Sequence, residues 1–152
     1  MKDIALLVVD VQKGLIDEHP YRENELLEGI SRLTQRTRAN GVEVVYVRHG
    51  EDDPNGLFPG SSAWQVHPAI APLEGERVFD KRFSSAFKDT GLDEYLQGRG
   101  VKTLVIAGMQ TEYCIDATIK SAFERGYKVT MPEGGSTTYD NRLATADRLV
   151  AF

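Results

Sequence analysis

The sequence predicts an α/β fold in three layers, with helices on both faces of a mostly parallel, Rossmann-like sheet. Three times along the chain a polar, helix-like stretch ends at a glycine, and an apolar strand follows at once. These glycines are Gly41, Gly100 and Gly126, and glycine just past a helix end readily takes the left-handed conformation of a helix cap. The strands are continuous apolar runs rich in Val and Ile, as is typical of parallel strands buried on both faces. Helices covering such a sheet on both sides account for both features.

The predicted strands are, in chain order, Ile4–Val9 and residues 42–47, 78–80, 104–107 and 129–131. Apolar residues at helical spacing predict four helices, each with one stripe facing the sheet. The helices cover residues 24–39, with Leu26, Leu27, Ile30 and Leu33; the stretch of Leu92, Tyr95 and Leu96; the segment after Cys114, with Ile115, Ile119, Ala122 and Phe123; and residues 140–152, with Leu143, Ala146, Leu149 and Val150. The last pattern reaches Phe152 without a cap signal, so whether the native chain extends beyond it stays open.

Residues 50–75 interrupt this alternation with a long loop that contains four prolines and scattered Gly and Ser. Loops of this length inside a compact domain are usually functional or disordered. This one carries Phe58, Trp64 and His67. We expect a lid over the site or a contact in a homo-oligomer, or else an ordered loop that packs its own aromatic residues.

Length, composition and charge argue against several classes of function. With 152 residues, 41% hydrophobic and 27% charged, the chain fits one domain over residues 1–152. The net charge of -5, without clustered Lys and Arg, argues against nucleic-acid binding. The longest apolar run, Ile4–Val9, is too short to span a membrane. One cysteine allows no internal disulfide, and with no export signal seen we expect a cytoplasmic protein.

Three chemically active side chains follow predicted strands. Asp10 closes the first strand, Lys81 follows the short strand, and Cys114, the only cysteine, lies where a strand gives way to a helix. Parallel strands end at one edge of the sheet, where open sheets bind ligands, so we expect these residues to converge. A thiol in the first turn of a helix is favoured as thiolate. Taken singly, each also has a plainer interpretation, as a buried apolar thiol, a turn-forming acid or a lysine that reaches solvent.

Four blocks of sequence carry a family resemblance. They are Leu-Leu-Val-Val-Asp10-Val-Gln12, Pro59-Gly-Ser-Ser-Ala-Trp-Gln-Val-His-Pro68, Lys81-Arg-Phe-Ser-Ser-Ala-Phe87 and Val105-Ile-Ala-Gly-Met-Gln-Thr-Glu-Tyr-Cys114. In this order they resemble the isochorismatase-like cysteine hydrolases, which include nicotinamidases, N-carbamoylsarcosine amidohydrolases and ureidoacrylate-type amidohydrolases. The resemblance implies the isochorismatase-like fold and a homo-oligomer. It also implies three site features: a catalytic triad of Asp10, Lys81 and Cys114; a cis peptide at Met109–Gln110; and an oxyanion hole from the N–H groups of Gln110 and Cys114.

The residue types predict the chemistry. Lys81 and the helix terminus stabilise the Cys114 thiolate, Asp10 accepts the thiol proton, and the sulfur attacks a carbonyl carbon. Asp10 then protonates the leaving amine and activates the water that hydrolyses the thioester. The sequence thus predicts a hydrolase of a small amide or ureide. Two alternatives stay open: vinyl-ether hydrolysis of the isochorismatase type, with Asp10 as acid, and a non-enzymatic domain that binds a small ligand.

The sequence does not support a cofactor. Nicotinamidases hold a metal through an Asp-x-His pair and a further histidine, whereas the matching strand end here reads Val47-Arg-His-Gly-Glu51. We therefore expect no metal site, with His49 and His67 as loop or polar-site residues. Glycine patterns for nucleotide binding are also absent from the sequence. True isochorismatases lack the nucleophilic cysteine, so Cys114 favours amide over ether chemistry.

We expect a small, partly apolar substrate pocket lined by Gln12, Leu15, Trp64, Phe87 and Tyr113. These residues lie near the ends of the strands that carry the three reactive side chains.

Overall fold

The computed structural model describes residues 3–151. Within them lie six strands: β1 (Ile4–Val9), β2 (Glu43–His49), β3 (Arg77–Lys81), β4 (Thr103–Met109), β5 (Lys128–Thr130) and β6 (Ser136–Thr137). The sheet order is β3-β2-β1-β4-β5, and β6 pairs with the carboxyl end of β4. All pairings between these strands are parallel, which confirms the predicted sheet. The sequence pattern missed β6 because two residues are too few to show a period.

The helices are α1 (Lys13–Ile16), α2 (Glu23–Ala39), α3 (Leu92–Gly98), α4 (Asp116–Glu124) and α5 (Ala146–Ala151). A 3-10 turn covers Pro68–Ile70, and a π-helical turn covers Thr111–Ile115. None of the helices within residues 3–151 is long and apolar enough to cross a lipid bilayer.

The final helix begins later than the predicted residue 140. The Asn141 side chain accepts hydrogen bonds from the N–H groups of Leu143 and Ala144, and Asp140 accepts one from Ala146. Such local bonds compete with a helix. The assignment of Leu143 to an apolar stripe is therefore wrong, and its side chain is 96% exposed. The predicted end at Phe152 lies outside the described residues.

Two hydrophobic clusters cover the two faces of the sheet, so the three-layer prediction is confirmed. One face carries α1 and α2, and the other carries α3 and α4. Alternate residues of β1 point to opposite faces, as the pleat requires: Leu6 and Val8 join α2, whereas Leu7 and Val9 join α3 and α4. The sheet therefore holds its strand ends in fixed positions.

The loop at 50–75 is ordered and bonded to the segment that follows β1. Backbone hydrogen bonds of 2.9 Å join Lys13 to Gln65 and Gly14 to Ala63. An antiparallel bridge pairs Gln12 with Val66. The loop thus forms a fixed wall beside the carboxyl end of β1.

Candidate active site

Four neighbouring strands bring four reactive side chains together at one edge of the sheet. Asp10 follows β1, His49 ends β2 and Lys81 ends β3. His49 and Lys81 are register partners across β2 and β3. Cys114 follows β4, on the other side of β1. The three residues that the sequence predicted to converge do so, and His49 joins them.

The Lys81 ammonium lies at the centre of this cluster. Its Nζ is 2.9 Å from Asp10 Oδ2, 3.0 Å from His49 Nδ1 and 3.3 Å from Cys114 Sγ. It also donates to the Phe83 carbonyl over 2.9 Å. The side chains of Lys81 and Asp10 are 0% and 2% exposed. Each charge needs the other, because an isolated charge at such depth is strongly unfavourable.

Asp10 is placed to accept a proton. Its backbone is left-handed, with φ 55°, and its N–H donates to the Val47 carbonyl over 2.9 Å. While Oδ2 contacts Lys81, Oδ1 is buried and has no hydrogen-bond partner within residues 3–151. Burial raises the pKa of the Asp10 carboxyl above its ordinary value, and the Lys81 charge opposes but does not cancel this effect. A carboxylate in this state is a stronger base than an exposed one.

Cys114 lies in the π-helical turn Thr111–Ile115. The turn follows a cis peptide bond between Met109 and Gln110, as the family resemblance implies. The Gln110 carbonyl accepts hydrogen bonds from two N–H groups of the turn, both over 3.1 Å. Cys114 therefore lies in the first helical turn after β4, as predicted, and this turn is π-helical and runs directly into α4.

The thiol is protonated in the resting site. The pKa of Cys114 is raised to about 11, first by burial and then by the negative charge of Asp10. The Lys81 ammonium acts in the opposite direction and is outweighed. The prediction of a thiolate stabilised in advance is wrong, because the same ammonium is paired with Asp10 and the sulfur is partly buried. The sulfur must lose its proton to a base before it can attack.

Gln12 connects the ends of β1 and β2 to the long loop. Its Oε1 accepts from the His49 N–H, and its Nε2 donates to the carbonyls of His49 and Trp64, each over 2.9 Å. Gln12 is 0% exposed, and both ends of its amide bind backbone. Its place in the substrate pocket stays a prediction, and in this structure the amide is occupied by backbone groups.

His49 is a polar residue of the site, one of the two places that the sequence analysis left open for it, although no role beside Lys81 was predicted. Burial lowers the pKa of the imidazole, and the Lys81 charge lowers it further, so the ring is neutral at pH 7. The sequence did contain a signal for this position, because His49 lies at the end of an apolar strand, as Asp10 and Lys81 do. His67 is a loop residue, as predicted, and its Nδ1 accepts from the Ala69 N–H over 3.1 Å.

Two of the predicted pocket residues are held by aromatic contacts. Phe87 is 6% exposed and stacks on Tyr127, with 5.9 Å between the ring centres. The ring is part of the core between the sheet and α4, and its place in the substrate pocket stays a prediction. The Trp64 ring lies under the Arg48 guanidinium, 3.5 Å from the ring centre.

The remaining two predicted pocket residues differ in exposure. Tyr113, next to Cys114 in the π-helical turn, is 56% exposed. Leu15 is half-buried against the α2 side of the core, and its carbonyl accepts from the Tyr139 hydroxyl. Tyr113 is the more accessible of the two to a ligand that reaches the thiol.

The segment around β6 holds the π-helical turn. Thr111 Oγ1 lies 2.9 Å from Ser136 Oγ. The Thr138 hydroxyl donates to the Glu112 carboxylate. Both contacts fix the turn that carries Cys114 against the carboxyl end of β4.

Asp10, His49 and Cys114 are the side chains that could hold a metal ion here, since one ligand atom of each lies within 4.8 Å of the others. The Lys81 ammonium contacts all three. A metal ion would have to displace this ammonium, so the cation that fits the described site is Lys81 itself.

Comparisons of the sequence and of the structure with known proteins agree with one another. A family model for the isochorismatase domain matches residues 4–148. Streptothricin hydrolase from Streptomyces noursei is 34% identical over 139 residues, which are 90% of this chain and 55% of that protein, so this chain spans about half of its length. A crystal structure of an isochorismatase family protein matches with a TM-score of 0.93 at 32% identity, covering 99% of this chain and 90% of the other. N-carbamoylsarcosine amidase from Thermoplasma acidophilum matches with a TM-score of 0.78 at 27% identity, covering 92% and 87%.

Proposed function

This chain belongs to the isochorismatase family, and from that premise we propose that it is a cysteine-dependent hydrolase of a small amide or ureide. The observation that carries the proposal is the position of Cys114 Sγ, 3.3 Å from the ammonium of a buried Lys81–Asp10 ion pair. Family resemblance to an N-carbamoylsarcosine amidase supports cleavage of a carbon–nitrogen bond.

The first step is proton transfer coupled to attack. Asp10 is the base, because its carboxyl has a raised pKa and an unpaired buried oxygen. As the thiol proton moves to Asp10, the sulfur lone pair forms a bond to the substrate carbonyl carbon. The carbonyl π electrons move to oxygen. Lys81 stabilises the sulfur while its charge develops.

The second step releases the amine. The N–H groups of Gln110 and Cys114 stabilise the oxyanion, and a donor of this kind typically contributes about 3 kcal/mol. When the intermediate collapses, the carbon–nitrogen bond breaks and Asp10 returns its proton to the leaving nitrogen. Ammonia or a small amine departs, and a thioester remains on Cys114.

The third step restores the enzyme. Asp10, again a carboxylate, takes a proton from water as the water oxygen attacks the thioester carbon. Collapse of this intermediate breaks the carbon–sulfur bond and protonates the sulfur from Asp10. An amide yields a carboxylic acid, and a ureide yields a carbamic acid.

The proposal includes a homo-oligomer in the cytoplasm, where a reduced thiol nucleophile persists. Phe58, in the loop at 50–75, is 42% exposed and supports a subunit contact there. Light scattering of the unmodified protein and of Phe58→Ser tests this part. We expect an oligomer for the unmodified protein and a lower molar mass for the variant. A monomeric unmodified protein, with the same mass as the variant, would refute it.

The catalytic proposal is tested by an ammonia-release screen over small primary amides and ureides, followed by mass spectrometry of the Cys114 peptide. We expect release that disappears in Cys114→Ala and an acyl group on Cys114 when turnover is quenched. Ether cleavage that survives in Cys114→Ala would favour the isochorismatase-type reaction. No turnover and no adduct on either class of substrate would favour a ligand-binding domain.

A further inference from the structure

Four acceptors surround the Lys81 ammonium, which has three protons to donate. The Asp10 carboxylate and the Phe83 carbonyl each lie 2.9 Å from Nζ. His49 Nδ1 lies at 3.0 Å and the Cys114 sulfur at 3.3 Å. The carboxylate and carbonyl oxygens are the two nearest acceptors of the four, and the carboxylate is also charged. His49 and Cys114 therefore compete for the one proton that remains.

In the resting site this competition favours His49. A protonated thiol is a weak acceptor, and the pKa of Cys114 is raised to about 11. The imidazole is neutral, because burial and the Lys81 charge lower its pKa. By accepting at Nδ1, His49 takes the tautomer that carries its proton on Nε2.

The backbone of His49 is held in place beside Lys81. Gln12 binds both the N–H and the carbonyl of His49. Besides Lys81, the charged groups that face the ring are Asp10, Glu51 and Arg82. The two acids favour its protonation and Arg82 opposes it, and burial is the largest influence of all.

We propose that His49 is a positioning residue that acts on Cys114 through Lys81. While the thiol is protonated, His49 accepts the third ammonium hydrogen bond. Once Asp10 has taken the thiol proton, the charged thiolate is the stronger acceptor and takes that hydrogen bond from His49. Lys81 loses no proton in this exchange. His49 thus keeps the thiol of the free protein unreactive and leaves the ammonium available when the thiolate forms.

This inference rests on the proposed function for the role of Cys114, but its test needs no substrate. His49→Leu removes the acceptor, and His49→Asn keeps one close to the position of Nδ1. The Leu variant leaves the third proton to Cys114, so the pKa of the thiol falls. Alkylation by iodoacetamide at mildly alkaline pH then becomes about three- to fourfold faster for each unit by which the thiol pKa falls. The thiolate fraction rises tenfold per unit, while the nucleophilicity of the thiolate decreases. The Asn variant stays within about twofold of the unmodified protein.

An alkylation rate in His49→Leu that is unchanged or lower, with a native circular dichroism spectrum, would overturn the inference. Nitrogen NMR of the unmodified protein tests it without a substitution, since His49 should be neutral with its proton on Nε2. A proton on Nδ1 would also overturn it. If both measurements agree with expectation while no amide or ureide is hydrolysed, the proposed function fails and this inference stands.

Discussion

Gln12 binds His49 at both polar groups of its backbone, accepting from the N–H and donating to the carbonyl over 2.9 Å each. The two residues lie on neighbouring strand ends, so this side chain continues the link between β1 and β2 past the last ladder hydrogen bond. A third hydrogen bond, from Gln12 to the Trp64 carbonyl, connects these strand ends to the long loop. We expect the position of the imidazole beside Lys81 to depend on this connection.

Gln12→Met tests that dependence. The change keeps the volume and removes three buried hydrogen bonds, and each buried group left unpaired costs about 1–3 kcal/mol. We expect a lower free energy of unfolding and a slower proposed hydrolysis, measured by urea denaturation and ammonia release. The matched control is Gln65→Met, because Gln65 is exposed and, within residues 3–151, its Oε1 accepts from Arg48 alone. Equal stability of the two variants would contradict the role given to Gln12.

Lys81→Met should destabilise the protein strongly. It leaves the Asp10 carboxylate buried without its counter-charge, and breaking a buried pair from one side typically costs about 3–5 kcal/mol. The double variant Asp10→Asn with Lys81→Met removes both charges and should recover part of that loss. Chemical denaturation of the two single variants and the double variant gives the coupling. A double variant no more stable than Lys81→Met would show that the ion pair is not the cause.

The Asp10→Asn substitution should have opposite effects on thiol reactivity and on turnover. The negative charge of Asp10 raises the pKa of Cys114, so its removal lowers that pKa from about 11 and makes the free thiol more reactive at mildly alkaline pH. Loss of the base should slow the proposed hydrolysis by about 10²–10⁴-fold. Iodoacetamide alkylation across a pH series, beside an ammonia-release assay, measures both. Slower alkylation in Asp10→Asn would contradict the assigned cause of the raised pKa.

In the unmodified protein, hydrolysis should be lost as the pH falls through the pKa of Asp10. The base works only when ionised, and the pKa is raised by burial, so the loss should occur at higher pH than for an exposed carboxyl near 3.9. The acid limb of a kcat/KM profile for the substrate found in the screen measures this. A limb at the ordinary value would mean that Asp10 is not the base.

Gly108→Ala should prevent a stable fold. Gly108 has φ 138°, and a Cβ there would lie against the Val9 carbonyl oxygen, far inside van der Waals contact. We expect a loss above about 4 kcal/mol, or no folded protein. Gly29→Ala is the control, because the space around Gly29 in α2 is open, and alanine should stabilise that helix by about 0.5–1 kcal/mol. Thermal unfolding of both variants separates the two effects.

The parts of the site that the sequence predicted are those that a strand end fixes. Asp10 was identifiable because it ends an apolar run, and Lys81 because it follows a short strand, at places where the ends of parallel strands align. Thiol acidity was not predictable, because it depends on the burial of Cys114 and its distances to two charges that are remote in sequence. The partners of Gln12 and Phe87 were not predictable for a related reason, since they are a backbone and a ring that only the complete fold brings close.

The strand order also determines when during folding the thiol acquires its surroundings. Asp10 and Cys114 are separated by most of the chain, and Lys81 reaches both only after β2 has inserted between β1 and β3. We therefore expect the cysteine of a refolding chain to react as an ordinary thiol until the strands that carry Asp10 and Lys81 have paired. Non-local parallel pairings form slowly. The rate at which the single thiol is alkylated thus reports on the pairing of these strands. A time course of labelling during refolding would measure when the sheet around the Lys81 ammonium is complete.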